Sequence, residues 1–198
     1  MTDQISHVTS SAWYHLHRLG QIRKFLDLAS AARLIHAFIT ARLDQNNGLL
    51  YGVPAYQTHK LQRVQNAAAR MLTLQSPSQI LHITPILFDL HWLPVLFRIE
   101  YKLLLLVYKA LNGLAPHYLR ELLHIRHHSE RSLRSNNNFY LDPPAIKTSK
   151  SYGDRAFQVA GPKLWNGLPI DIKKSCSVDI FKKRIKTYLF NEAFKNFK

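Results

Sequence analysis

Between Pro94 and the Asn112-Gly113 pair the chain carries apolar side chains on nearly every side of a helix, most densely from Ile99 to Val107. A helix without a polar face has nothing to give to water and must be enclosed by other elements. Proline pre-sets the backbone at its start, and Asn-Gly is a natural C-terminal stop. The longest strongly apolar run, Leu103 to Val107, is far short of the roughly 20 residues a membrane-crossing helix needs. Other helices of the same chain must therefore enclose it, so a helical bundle is expected around this segment, with no membrane partner.

The rest of the sequence supplies those helices. Trp13, Leu16, Leu19 and Leu26 recur at near-helical spacing, with a break or kink expected at Gly20. Ser30 is positioned to cap a second helix, Ala31 to Leu43, with Leu34, Ile35, Phe38 and Ile39 as its buried stripe. The polar turn from Asp44 to Gly48 ends it, and Gly52 with Pro54 closes the following loop. A third helix, Tyr56 to Leu72, sets Leu61, Val64, Ala68, Met71 and Leu72 on one face and Lys60, Arg63, Gln65 and Arg70 on or beside the other. Thr84-Pro85 reads as a cap followed by proline at the first helical position. Trp92 and its neighbours from His91 to Pro94 pack the entrance of the central helix. Pro116 opens a short helix with Tyr118, Leu119, Leu122 and Leu123.

After Leu123 the periodicity lapses. Residues 124–151 form a polar, basic connection, with short strands expected at Phe139 to Leu141 and Lys147 to Tyr152. Asp154 to Leu164 reads as a helix or turn broken by Gly161-Pro162. Ser177 caps a final helix with Val178, Phe181, Ile185, Tyr188 and Leu189 as its stripe. The expected fold is mainly α: a bundle of about six to eight helices with a small irregular, α+β-like C-terminal part. Its divisions are a helical bundle over 1–123, the connection over 124–151 and a small subdomain over 152–198.

Charge narrows the class of partner. Lys+Arg number 27 against 12 Asp+Glu, a formal net charge of +15, and such a field attracts polyanions. Nucleic acid is the natural reading; an anionic membrane surface or plain solubility is the bland one. Cys176 is the single cysteine, which excludes an internal disulfide and a Cys-rich zinc site and fits a reducing compartment. The N-terminus lacks the basic and apolar regions of a signal peptide, so an intracellular protein is expected.

Several long phrases point further. HKLQRVQNAAARML (His59 to Leu72), HITPILFDLHWLPVLFRIEYKLLLLVYKALNGLAPHYL (His82 to Leu119), RSLRS (Arg131 to Ser135) and YGDRAFQVAGPKLWNGLP (Tyr152 to Pro169) occur in that order. Together they resemble the C-terminal end of the reverse transcriptase of LINE-type, non-LTR retrotransposons of the jockey superfamily. The resemblance extends from Ser10 to Leu26, through Arg42 to Gly52, and to Ser177 to Phe190. It implies the thumb and C-terminal region that follow the polymerase palm, in a chain that begins in the middle of the parent reading frame. It further implies RNA or DNA as a partner through phosphate contacts, a palm in trans as a second partner, and nuclear or cytoplasmic residence. One departure stands out: family members often read Arg-Leu-Asp-Tyr-Cys-Asn where this chain reads Arg42-Leu43-Asp44-Gln45-Asn46-Asn47, which implies drift or a loosened contact with the palm.

Polymerisation needs carboxylates that hold two metal ions at the growing end. In the family these come from an Asp-Asp turn and an earlier strand in the palm. No Asp-Asp pair occurs here, and the aspartates lie scattered at positions 3, 27, 44, 89, 142, 154, 171 and 179. No enzyme activity, catalytic residue, cofactor or metal site is expected. His124, His127 and His128, with Glu130 nearby, fall short of a zinc ligand set, and no G-x-S-x-G elbow is present. What remains are basic faces: Lys60, Arg63 and Arg70 on the third helix, and Lys173, Lys174, Lys182, Lys183, Arg184 and Lys186 at the last. Cations of this kind bind phosphates with little regard for sequence. Tyr56, Tyr152 and Trp165 are candidates to stack bases beside them, with burial in a small core the stronger role for Trp165. The competing expectation is a protein-interaction module, or an element relic without a selected activity. Apolar surface around Trp13, Leu49, Leu50 and Tyr51, bared by the missing palm, would then favour self-association.

Overall fold

The computed structural model describes residues 1–74, 82–126, 140–144 and 153–197. Helix dominates them, and the strands among the described residues form one two-stranded antiparallel pair, so the fold is mainly α with a small irregular part. No helix among them is long and apolar enough to cross a membrane. The chain forms two compact units: Met1–Ile99 together with Phe190–Lys198, and Glu100–Leu189. Of the expected strands, Lys147 to Tyr152 and the start of Phe139 to Leu141 lie outside the described residues, as do residues 127–139 and 145–151 of the expected connection.

The first unit opens with helix α1, Thr2–Ile22, which runs through Gly20 without the expected break. A Cβ at Gly20 would lie 3.5 Å from the Met71 side chain, so the position admits a neighbouring helix rather than a kink. Its buried face is Ile5, Ala12, Leu16 and Leu19, with Trp13 exposed. Helix α2, Leu28–Ile35, is capped by Asp27, whose carboxylate accepts from the N–H groups of Ala29 and Ser30 at 3.2 and 3.4 Å. The cap therefore lies three residues before the expected one, and Ser30 serves it: hydrogen bonds from the Ser30 side chain and backbone hold the Asp27 carboxyl below its ordinary value. A π-helical segment, His36–Thr40, follows and leads into α3, Ala41–Asp44.

That segment also rewrites the expected stripe. The buried residues are Ala31, Ile35, Ile39 and Leu43, each four residues after the last. A regular α-helix would rotate such a series progressively off one face, and the wider π turn holds it in line. Phe38, expected inside, is consequently 40% exposed.

Helix α4, Ala55–Thr73, buries Leu61, Val64, Ala68 and Leu72 as its pattern requires. Gln65 departs from expectation: it is buried, and its amide donates to the Leu93 carbonyl at 2.8 Å. Gln62 accepts from the Val95 N–H at 2.8 Å and donates to Gln65 at 2.9 Å. Val95 begins helix α6, Val95–Leu111, so two glutamines of α4 satisfy backbone groups on both sides of Pro94. Short α5, Thr84–Asp89, begins at the expected cap itself, one residue before the expected start at Pro85, with Ile83 in the cap position. Trp92 is buried, as expected of the approach to α6. Arg23 is buried as well, and its guanidinium donates to the carbonyls of Met71, Leu72 and Leu26 at 3.1, 2.7 and 2.9 Å. A cation is thereby placed on the negative, donor-hungry end of α4. Near the chain terminus Phe190 and Phe194 pack on Phe88 within the same unit.

The second unit takes α6 from Glu100 onward. Leu103, Leu104, Val107, Tyr108 and Ala110 are all buried, and Gly113, at φ 69°, ends the helix. Short α7, His117–Glu121, leads to β1, His124–Ile125, which pairs with β2, Leu141–Asp142. Helix α8, Phe157–Asn166, passes through Gly161-Pro162 instead of breaking there. A Cβ at Gly161 would come within 3.0 Å of Val107, so glycine allows α8 to approach α6 closely. Asn166 clamps β2 by accepting from the Leu141 N–H at 2.9 Å and donating to its carbonyl at 2.8 Å. After α9, Ile170–Lys173, helix α10, Val178–Ala193, begins at the expected Ser177, whose hydroxyl accepts from the Ile180 N–H at 3.3 Å. Phe181 stacks on Tyr108 at 4.2 Å, and the buried Tyr108 hydroxyl donates to the Ser175 carbonyl at 2.6 Å.

Two stability outcomes follow from these placements. Arg23→Ala removes three donors from the carbonyls of Met71, Leu72 and Leu26 and is expected to cost about 3 kcal/mol in urea unfolding; Arg23→Lys, lacking the fork, should recover only part of it. Glu100 is half-buried on α6, and burial raises its carboxyl pKa above the ordinary 4.5. The folded state thus holds that proton more tightly, so stability is fullest below the ordinary value and falls as pH rises through the folded one. Glu100→Gln should raise the melting temperature at pH 7, and the gain should vanish near pH 4.

Candidate nucleic-acid interface

The exposed side of α4 is the clearest basic face in the first unit. Tyr56, His59 and Arg63 are exposed, and at helical spacing they share a stripe with Asn66 and Arg70. From Ala55 to Thr73 the helix carries no aspartate or glutamate, so nothing on it neutralises these cations. Lys60 lies at the flank and is half-buried, as is Arg70, whose Nε is shielded and has no hydrogen-bond partner among the described residues. Arg63 is therefore the best-presented cation of the three. His59 was not singled out from sequence; the signal that finds it is the acid-free run together with the three- and four-residue spacing.

In the second unit the basic residues around α10 separate into different environments. Phe181, Ile185 and Leu189 are buried. Lys183 and Lys186 lie on the opposite, exposed side, and Lys182 stands one turn before Lys186. Lys182 is bound at 3.0 Å by Asp179, in a surface pair of small energetic consequence. Arg184 points to the other flank and donates to the Asp171 carbonyl at 2.6 Å. Lys174 is exposed.

Lys173 does not belong to this face. It is only 7% exposed, donates to the Asn166 carbonyl at 3.2 Å and lies 4.5 Å from the centre of the Tyr140 ring. Burial lowers its pKa from 10.5, because the charged ammonium loses water there. The side chain thus holds the β2 segment, which no spacing in the sequence distinguishes from Lys174 beside it.

Among the aromatic candidates, Tyr56 is exposed and Trp165 is fully buried beside Phe181; Tyr152 lies outside the described residues. No group of three or more His, Cys, Asp or Glu that could hold a metal ion occurs among the described residues. His124 is exposed on β1, and His127, His128 and Glu130 lie outside the described set. No protein-family model matches the chain, and no curated protein or solved structure matches it.

The division among the lysines has a direct chemical readout. Brief acetylation at limiting reagent should label Lys174, Lys183 and Lys186 early and leave Lys173 protected until the protein unfolds. Mass spectrometry of the digested protein checks it, and early labelling of Lys173 would contradict its placement.

Proposed function

We propose that the chain is a non-catalytic nucleic-acid-binding segment derived from a non-LTR retrotransposon reverse transcriptase, corresponding to the thumb and C-terminal region. It binds RNA or DNA by electrostatic positioning, with phosphates meeting Arg63 and its neighbours on α4 and Lys182, Lys183 and Lys186 on α10. The observation that carries this reading is the α4 stripe: an exposed aromatic, an imidazole and an arginine in register on a helix without one acidic residue. The overall charge of +15 supplies the long-range attraction that brings a polyanion to such a stripe. No covalent step is assigned to the chain.

A second reading draws on exposed apolar side chains in the first unit. Phe25, Leu28 and Leu49 are 76%, 61% and 65% exposed, and Trp13 is 41% exposed. Residues of that kind suit a palm bound in trans or self-association. Sedimentation across a concentration series separates the two: a monomer with nucleic-acid affinity supports the first reading, and oligomers without affinity support the second.

The deciding experiment measures affinity for labelled RNA, single-stranded DNA and duplex DNA across a salt series. Log K should fall linearly with log salt, with a slope of about 0.7–0.9 per phosphate contact. Reversing Lys182, Lys183 and Lys186 to glutamate should weaken binding at low salt and flatten that slope, as should Arg63→Glu. Unchanged affinity in both variants would remove these faces as the site.

A further inference from the structure

The π-helical segment packs against α1, and the two elements assemble an aromatic array that neither basic face includes. Tyr14 meets His15 edge-on at 5.4 Å, and His15 stacks on Phe38 at 5.3 Å with their planes 24° apart. The Arg18 guanidinium lies 5.6 Å from the centre of the Tyr14 ring. At the other end Phe38 lines an open depression of about 600 Å³ together with Ala37, Ala41, Arg42, Asp44 and Gln45. The rings thus form a short ladder with an arginine at each end, and Tyr14 and Phe38 are 58% and 40% exposed.

The charges around the depression favour an anionic guest. Asp44 is occupied: Arg98 binds both its carboxylate oxygens, and the Asn47 amide donates to it at 3.2 Å. The Arg42 side chain, on helix α3, forms no hydrogen bond or ion pair among the described residues, which leaves its charge uncompensated in the depression that Phe38 lines. Two alanines leave the aromatic wall unobstructed, and Gln45 adds an exposed amide with donor and acceptor groups. The chemistry of this surface is an aromatic wall, an amide able to meet a base edge, and arginines beside Tyr14 and in the depression lined by Phe38. That combination suits unpaired bases stacked on aromatic side chains while arginines meet the flanking phosphates. A duplex has its base faces already occupied by stacking and cannot use it.

We propose that the Tyr14–His15–Phe38 ladder, with Arg18 and Arg42 at its ends and the depression beside the π-helical segment, is a stacking platform for unpaired bases of single-stranded RNA or DNA. This rests on the nucleic-acid reading above and adds to it a surface and a strand preference. The segment accounts for the platform's existence: its wide turn keeps Ile35, Ile39 and Leu43 inside and carries Phe38 outward. Wide helical turns of this type often occur at functional sites.

The test compares the full chain with Phe38→Leu and Arg42→Gln in binding a labelled oligo(dT) and a duplex of equal length. Leucine keeps the apolar bulk and removes the stacking face; Arg42→Gln changes a surface charge and leaves the core untouched. Each variant is expected to lose about tenfold or more in single-strand affinity while duplex affinity stays within about twofold. Photo-crosslinking of a 4-thiouridine oligonucleotide should label the peptide containing Phe38. Unchanged single-strand affinity, or an equal loss on duplex, overturns the platform even if the charge reversals on α4 and α10 still weaken binding. Loss of self-association with unchanged single-strand affinity also overturns it, marking the surface as a contact between copies. Binding of neither nucleic acid by the folded wild-type chain overturns both this inference and the function it rests on.

Discussion

Helix ends buried against other helices need hydrogen-bond partners, and the first unit depends on how α4 meets that demand. A helix leaves its last carbonyls and first N–H groups unpaired, and burying them unmet costs more than most side-chain contacts return. Arg23 reaches the final carbonyls of α4 with one guanidinium, ties them to the Leu26 carbonyl, and so fixes the turn between α1 and α2. Gln62 and Gln65 do the complementary work at the start of α6. The apolar stripe of α4 can sit against its neighbours because these three polar side chains satisfy the backbone that the packing would otherwise strand.

The same accounting changes what the positive charge means. A formal +15 suggests a surface covered with free cations, yet a good part of it has structural employment. Arg23 caps a helix, Arg98 holds Asp44, Arg126 pairs with Asp142 at 2.5 Å, and Lys173 lies buried over Tyr140. Arg184 is engaged by a backbone carbonyl. Among the described residues, Arg63 on α4 and Lys174, Lys183 and Lys186 near the C-terminal helix are exposed cations with no such engagement. Net charge governs attraction at a distance, whereas a cation held by a buried internal partner has less to give to a phosphate than one exposed on a helix face.

Sequence periodicity located α4, α6 and α10 well, because each repeats apolar residues every three or four positions and is bounded by proline, serine or Asn-Gly signals. It failed where the period itself changed. Ala31, Ile35, Ile39 and Leu43 are spaced by four throughout, and an α-helical reading of that region turned Phe38 inward. It failed also at Gly161-Pro162, where composition argues for a break and the close passage of α8 over α6 favours a continuous helix. In the candidate sites, the acid-free character of α4 was legible, whereas the burial of Lys173 and Gln65 was not. Their partners, Tyr140, Asn166 and Leu93, are brought to them only by the folded chain.

The amino-acid sequence by itself determined that this protein is mainly helical, which faces of its principal helices are apolar, and that its field attracts polyanions. These are properties of local periodicity and composition, which each segment carries whatever surrounds it. The tertiary structure alone decided which cations are spent on helix ends and carbonyls, which aromatics are withdrawn into cores, and where a π turn sets Phe38 at the surface. Those outcomes depend on desolvation and on hydrogen-bond partners distant in sequence, and a side chain's neighbours exist only once the chain has folded.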